Sequence, residues 1–68
     1  MFEALRAARR TIAAEANLPP YVIFHDSTLR DIAAARPTTL AALTRIQGVG
    51  TAKLERYGQA MLDALAAA

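Results

Sequence analysis

Residues 46–58 read Ile46-Gln47-Gly48-Val49-Gly50-Thr51-Ala52-Lys53-Leu54-Glu55-Arg56-Tyr57-Gly58, in which two glycines bracket one valine. An apolar run at helical spacing ends at Ile46, and a second run with Leu54 and Tyr57 begins directly after the glycines. Glycine at both positions permits a positive φ in a turn too short for larger side chains. The pattern predicts a helix-hairpin-helix turn.

A turn of this kind leaves the backbone N–H groups at the start of the second helix without helical partners. These amides and the helix macrodipole favour an anion, for which a phosphate is the obvious candidate. Lys53 and Arg56 follow one turn later on one helix face, where both can reach the same phosphate backbone. Such turns also join purely structural helices, so the spacing leaves both interpretations open.

The composition limits the class of protein. Sixty-eight residues suffice for one domain, but not for a core together with an enclosed catalytic pocket of ordinary size. Many of the apolar residues are alanines, which suit closely packed helices. The absence of cysteine excludes disulfides and thiolate metal sites, and it fits a cytoplasmic protein. No apolar run approaches the ~20 residues of a membrane span, and no signal peptide is visible.

Hydrophobic periodicity predicts an all-α fold, a compact bundle of about five short helices. The first helix covers residues 2–16, and Asn17 ends it before two prolines. Glu3, Arg6 and Arg10 lie opposite its apolar stripe, where the arginines form either a solvated face or a basic docking strip. Residues 21–24 predict an extended or 3₁₀ segment that buries Phe24 together with Val22 or Ile23.

The remaining helices are predicted from capping residues and breakers. Asp26 or Ser27 caps a second helix that stops before Arg36, and Thr38 or Thr39 caps a third that reaches Ile46. A fourth helix covers residues 52–57, and Gly58 either separates it from the last helix or is tolerated within one. The large apolar side chains are expected to form the core: Phe2, Leu5, Ile12, Leu18, Val22, Ile23, Phe24, Leu29, Ile32, Leu40, Leu43, Ile46, Leu54, Tyr57, Leu62 and Leu65.

No arrangement of residues predicts catalysis. His25 is the only histidine, and it has neither a second metal ligand at helical spacing nor a nucleophile that it could activate. The glycine turn lacks the Lys-Ser/Thr that follows the glycines of a nucleotide-binding loop. We therefore expect no catalytic residue, no metal site and no cofactor.

Charge is distributed unevenly along the chain, although the net charge is only +2. Residues 36–58 carry +3, whereas residues 11–31 carry −2. A basic segment is compatible with nucleic acid. Tyr21 is held beside a stiff Pro-Pro turn. Its ring is expected either to be exposed, so that a base can stack on it, or to pack on the core.

Two segments together resemble a known family. Residues 18–33, LPPYVIFHDSTLRDIA, followed by residues 46–58, IQGVGTAKLERYG, are similar to the HRDC domain, named for helicase and RNase D C-terminal. The similarity is greatest to the copies at the C-terminus of bacterial RecQ helicases. It implies a single domain over residues 1–68, attached to the C-terminal part of a larger ATP-dependent helicase of DNA repair and recombination. The domain itself would be non-catalytic and monomeric.

The resemblance also implies functional residues. The family's aromatic beside the Pro-Pro turn falls on Tyr21, its hairpin glycines on Gly48 and Gly50, and its basic helix residue on Lys53. One hypothesis is a weak DNA-binding module, in which Tyr21 stacks a base of single-stranded or partial-duplex DNA. Phosphates would lie near the turn and contact three cationic side chains, those of Lys53, Arg56 and Arg45.

The alternative hypothesis is a regulatory module that docks on other domains of its own helicase. The net negative segment supplies the acidic surface for this role, through Glu15, Asp26 and Asp31. The two hypotheses place the functional charges on different segments and with opposite sign, so charge reversal discriminates between them.

Overall fold

The structure is a computed structural model that describes residues 2–67, so both end positions of the predicted 1–68 domain lie outside it. The described residues form five helices and no strand: α1 (Phe2–Ala16), α2 (Pro20–Ile23), α3 (Asp26–Ala35), α4 (Leu40–Leu43) and α5 (Thr51–Ala67). Helix α1 packs against α2, α3 and α5, and α4 packs on α5. The predicted all-α bundle is confirmed.

The core lies where α1, α3 and α5 meet. Its buried apolar residues are Leu5, Ala13, Ile23, Phe24, Leu29, Ile32, Leu43, Val49, Met61, Leu62 and Leu65. Three predicted core residues are exposed instead, namely Leu18, Val22 and Leu40. The one-turn helices α2 and α4 bury a single side chain each because four residues in one turn point in four directions. Ile46 and Leu54 are only half-buried.

Helix α2 replaces the predicted extended or 3₁₀ segment. Pro20 occupies its first position, where the missing N–H of proline has no helical acceptor to lose and its fixed φ suits a helix. The chain becomes extended only at Phe24, with φ −150° and ψ 144°. The predicted burial of Ile23 and Phe24 is confirmed.

The helix predicted to reach Ile46 is much shorter. Thr39 caps α4 as predicted, since its hydroxyl accepts from the Ala42 N–H at 3.1 Å. Beyond Leu43 the chain follows tight turns, in which the N–H of Ile46 donates to the Leu43 carbonyl at 3.1 Å. The first arm of the predicted helix-hairpin-helix is therefore one helical turn followed by a loop.

Helix α5 runs without a break through Gly58, which is buried in its middle. A Cβ at this position would lie 2.9 Å from Leu40 Cδ2 and 3.5 Å from Leu43 Cδ2. The small glycine lets α4 pack closely on α5, so the residue tolerated inside a helix also serves an interhelical contact. The sequence left this choice open.

The start of α3 differs from the predicted cap. The residue before the helix is His25, whose side chain makes no capping hydrogen bond. Asp26, one of the two predicted caps, instead accepts a bond from Arg9 on α1, with Nη1 and Oδ1 2.7 Å apart. The predicted helix ends are confirmed at Asn17 and Arg36, which have left-handed φ values of 57° and 50°.

Arg9 lies on the buried side of α1, between Leu5 and Ala13. Only 8% of the residue is exposed. Its guanidinium donates to the Phe24 carbonyl at 2.9 Å as well as to Asp26. Arg9 therefore joins α1 to the extended link between α2 and α3, because the carbonyl of buried Phe24 needs a donor that no helix supplies.

Candidate nucleic-acid interface

The two glycines of the turn have different roles. Gly48 has a φ of 95°, and a Cβ there would lie 2.5 Å from Thr28 Oγ1 of α3. Both the backbone and the packing therefore require glycine at this position. Gly50 does not use the positive φ that glycine permits, and a Cβ there would meet nothing within 4 Å.

Thr28, in the first turn of α3, is buried, with 6% exposure, and it packs against Gly48. This contact holds the glycine turn against α3. Val49, between the two glycines, points into the core with 5% exposure. The turn is thus anchored on both sides, and it fixes where α5 begins.

Helix α5 begins with exposed amides. Its first helical bond runs from the Leu54 N–H to the Gly50 carbonyl at 2.8 Å. The preceding N–H groups have no acceptor within the helix, as at any helix start, and Thr51 and Ala52 are exposed. The anion-favouring end expected after the glycines is present.

Lys53 and Arg56 line an open groove with a volume of about 260 Å³. One wall is the first part of α5, including Ala52 and Tyr57, and the other wall is formed by Leu18 and Val22. Leu18 is 42% exposed and Val22 40% exposed. The structure therefore brings the two predicted cations to an apolar groove, termed here the α2–α5 groove.

Two residues that line the α2–α5 groove, Lys53 and Tyr57, also lie against the core residue Phe24. Lys53 Nζ lies 5.7 Å from the ring centroid of Phe24, within the range of a cation–π contact. The Phe24 ring meets Tyr57 edge to face, with centroids 6.1 Å apart and an interplanar angle of 77°. Lys53 is half-buried in consequence, whereas Arg56 is exposed.

Tyr21 lies beside the groove rather than in it. Its side chain is 62% exposed, so the structure favours the exposed ring over the packed one. Its neighbour Val22 lines the groove, and the Tyr21 ring itself lies next to that of His25. Arg45 is exposed in the turn after α4 and is not among the residues that line the groove.

The acidic residues of the alternative hypothesis are not equivalent. Glu15 on α1 and Asp31 on α3 are exposed. Asp26 is also exposed, at 57% of its side chain, but the hydrogen bond from Arg9 holds its pKa below the usual 3.8. Slight desolvation acts against this lowering of the pKa, and the charges of Arg9, Arg6 and Arg30 reinforce it. The charge of Asp26 is therefore largely matched within the domain.

Leu18 and Val22 are the groove residues that the sequence analysis missed, because it placed them in the core. A signal was present, since an apolar run of four residues after Pro-Pro is too short to bury every member. Within residues 2–67 the structure shows no group of three potential metal ligands. None of the helices in this range is long and apolar enough to cross a membrane.

The described residues thus form a small all-helical domain with an open groove on its surface. The family model described as the HRDC domain matches residues 1–65. The chain belongs to the HRDC family, whose members in RecQ helicases are non-catalytic accessory domains. The recognition made from the sequence is confirmed.

Relatives place this family in DNA helicases. The ATP-dependent DNA helicase RecQ of Haemophilus influenzae is 46% identical over 59 residues, which cover 87% of this chain and 10% of that protein. The ATP-dependent DNA helicase UvrD2 of Mycobacterium tuberculosis is 48% identical over 59 residues, which cover 87% and 8%. The chain thus spans about a tenth of the length of the curated relatives it matches.

A solved structure agrees with the fold. The D. radiodurans RecQ HRDC domain 3 is 39% identical to this chain and superimposes with a TM-score of 0.94. The match covers 97% of this chain and 87% of that one. The overall path of the chain is therefore shared with an HRDC domain of a RecQ protein.

Proposed function

We propose that the chain is an auxiliary module of an ATP-dependent DNA helicase of the RecQ type. It binds single-stranded or partial-duplex DNA weakly and modulates which DNA structures the helicase engages and unwinds. One observation carries the proposal: Lys53 and Arg56 line an apolar groove beside the exposed ring of Tyr21. A strand of DNA offers phosphates for the cations and base faces for the ring.

The expected binding is weak for a physical reason. Two cations in the groove neutralise at most about two phosphates, which corresponds to a salt slope of only about −1.4 for a single strand. Stacking one base contributes roughly 1–3 kcal/mol, which alone gives millimolar binding or weaker. A helicase that already holds DNA through other domains benefits from such a contact because the second binding event is then intramolecular.

The test is a fluorescence-anisotropy titration of a labelled single strand and a partial duplex with this chain, at low and moderate salt. Arg56→Glu should weaken binding and reduce the salt slope by about 0.7, because one phosphate contact is lost. Tyr21→Ala should weaken binding with little change in the slope. Arg56 is a better probe than Lys53 because Lys53 also contacts the Phe24 ring.

Arg36→Glu is the matched control. Arg36 lines a separate cleft with Leu62 and Leu65, at the opposite end of α5 from Arg56. Nine helical residues, or about 14 Å, separate position 56 from position 65. Equal effects of Arg36→Glu and Arg56→Glu would show that only net charge matters, and no binding at low salt would reject DNA binding by this chain.

A docking role is the second candidate, and the exposure of Glu15 and Asp31 favours it. These two carboxylates remain available to a basic surface of the same helicase, whereas Asp26 is paired with Arg9. Asp31→Lys in the helicase that carries this chain should then change DNA binding by the whole enzyme and leave binding by the chain alone unchanged. An unaltered enzyme would count against docking.

A further inference from the structure

Tyr21 and His25 form a pair of neighbouring aromatic rings on the surface. Their ring centroids lie 6.4 Å apart, and the ring planes differ by only 30°. Both residues are exposed. The His25 side chain makes no capping hydrogen bond to α3, so helix capping does not hold its ring. The pair presents a wider aromatic surface than a single ring.

We propose that His25 is a second base-stacking residue, which together with Tyr21 forms a two-ring platform for single-stranded DNA. The inference rests on the proposed function, because it specifies a contact made by the same surface. Aromatic side chains, histidine among them, stack on unpaired bases largely without regard to sequence. Val22, which lies between the two residues in the chain, lines the groove with Lys53 and Arg56. The platform is therefore adjacent to the cations that would hold the phosphates.

Charge beside the platform is compatible with a polyanion. Asp26 follows His25 directly and would repel phosphates if its charge were unmatched. Its carboxylate is instead bound by the Arg9 guanidinium at 2.7 Å. The ion pair removes much of the local repulsion that the acidic composition of residues 11–31 predicted.

The experiment compares three substitutions at His25 in the anisotropy assay. His25→Ala removes the ring and should weaken binding of a single strand by about five-fold or more. His25→Phe keeps a ring and should bind within about two-fold of the unchanged chain. His25→Asn keeps hydrogen-bonding capacity without a ring and should resemble His25→Ala. An exposed ring pair adds little to stability, so the melting temperatures of His25→Ala and His25→Phe should agree closely. Asparagine can cap α3 at this position, so His25→Asn should melt somewhat higher.

An oligonucleotide of abasic sites separates stacking from phosphate contact. His25→Ala should leave its binding unchanged because no base is available to stack, whereas Arg56→Glu should still weaken it. The platform is refuted if His25→Ala binds the normal strand as well as the unchanged chain does. Rescue by His25→Asn instead of His25→Phe would also refute it, in favour of a hydrogen bond. If the chain binds neither oligonucleotide, the proposed function itself fails, which is a distinguishable result.

Discussion

Replacing Arg9 by alanine should destabilise the domain strongly, because this arginine is buried and bonded to two other residues. Arg9 is 8% exposed and donates to both the Phe24 carbonyl and the Asp26 carboxylate. Removing it leaves the carbonyl without its donor, which costs about 1–3 kcal/mol. The lost packing of the buried side-chain stem adds to this cost. Asp26, at 57% side-chain exposure, returns to water, so the loss of its ion pair adds little.

The expected loss is therefore about 2–4 kcal/mol. A domain of this size has a total stability of about 3–10 kcal/mol, so the variant would lose a large part of it. The corresponding fall in melting temperature is roughly 10–25 °C. Circular dichroism at 222 nm during heating and urea titration measures both quantities.

Arg10→Ala is the control, because Arg10 is the next residue of α1, carries the same charge and is exposed. Its melting temperature should stay close to that of the unchanged chain. Arg9→Lys keeps the charge but lacks the planar fork, so an intermediate loss is expected. A melting temperature for Arg9→Ala that matches Arg10→Ala would refute the reasoning and show that the buried guanidinium contributes nothing net.

Three further predictions follow from individual contacts. Asp26 has a lowered pKa in the folded state, so its contribution to stability is complete above the unfolded pKa near 3.8 and is lost as the pH falls through the lower folded pKa. In urea titrations between about pH 5 and 3, the free energy of unfolding of Asp26→Asn should therefore fall less with pH than that of the unchanged chain. An identical fall for both proteins would contradict the role of the Arg9 bond. Gly48→Ala should cost about 2 kcal/mol or more, because φ is 95° and the new Cβ meets Thr28. Gly50→Ala should cost less than about 1 kcal/mol. Similar melting temperatures for the two variants would show that only one glycine role exists in this turn. Leu43→Ala should cost about 2–5 kcal/mol, and Leu54→Ala should cost clearly less because Leu54 is half-buried. Urea titration measures both losses, and a larger loss for Leu54→Ala would contradict this ranking.

Local signals predicted the elements whose ends are set by nearby residues. The bounds of α1, the left-handed end at Asn17 and the cap at Thr39 depend on propensity, breakers and side-chain hydrogen bonds within a few residues. The same applies to the stop of α3 before Arg36-Pro37, where the proline disfavours a helical residue before it. The resemblance to the HRDC family added the topology, which local signals do not contain.

Tertiary contacts decided what the sequence could not. Gly58 stays within α5 because the two leucines of α4 pack directly against it, a contact that no local signal in the sequence shows. Arg9 lies four residues from both Leu5 and Ala13 on the buried side of α1, but its acceptor, the Phe24 carbonyl, is fifteen residues away and is brought to it only by the fold. In the candidate site, the two cations at positions 53 and 56 could be predicted from their spacing. That they share a groove with Leu18 and Val22 could be seen only in the folded structure.

Phe24 connects the stability of the domain to the shape of its groove. Its carbonyl is held by Arg9, its ring meets Tyr57, and the Lys53 ammonium lies over the same ring. Lys53 and Tyr57 are four residues apart on α5, so one helix face places both against Phe24. The position of Lys53 in the groove is therefore set by core packing before any DNA arrives, which lowers the cost of ordering that side chain on binding. By the same argument, a DNA-binding defect in a Lys53 variant mixes lost charge with altered packing, and the exposed Arg56 reports the electrostatic contribution alone.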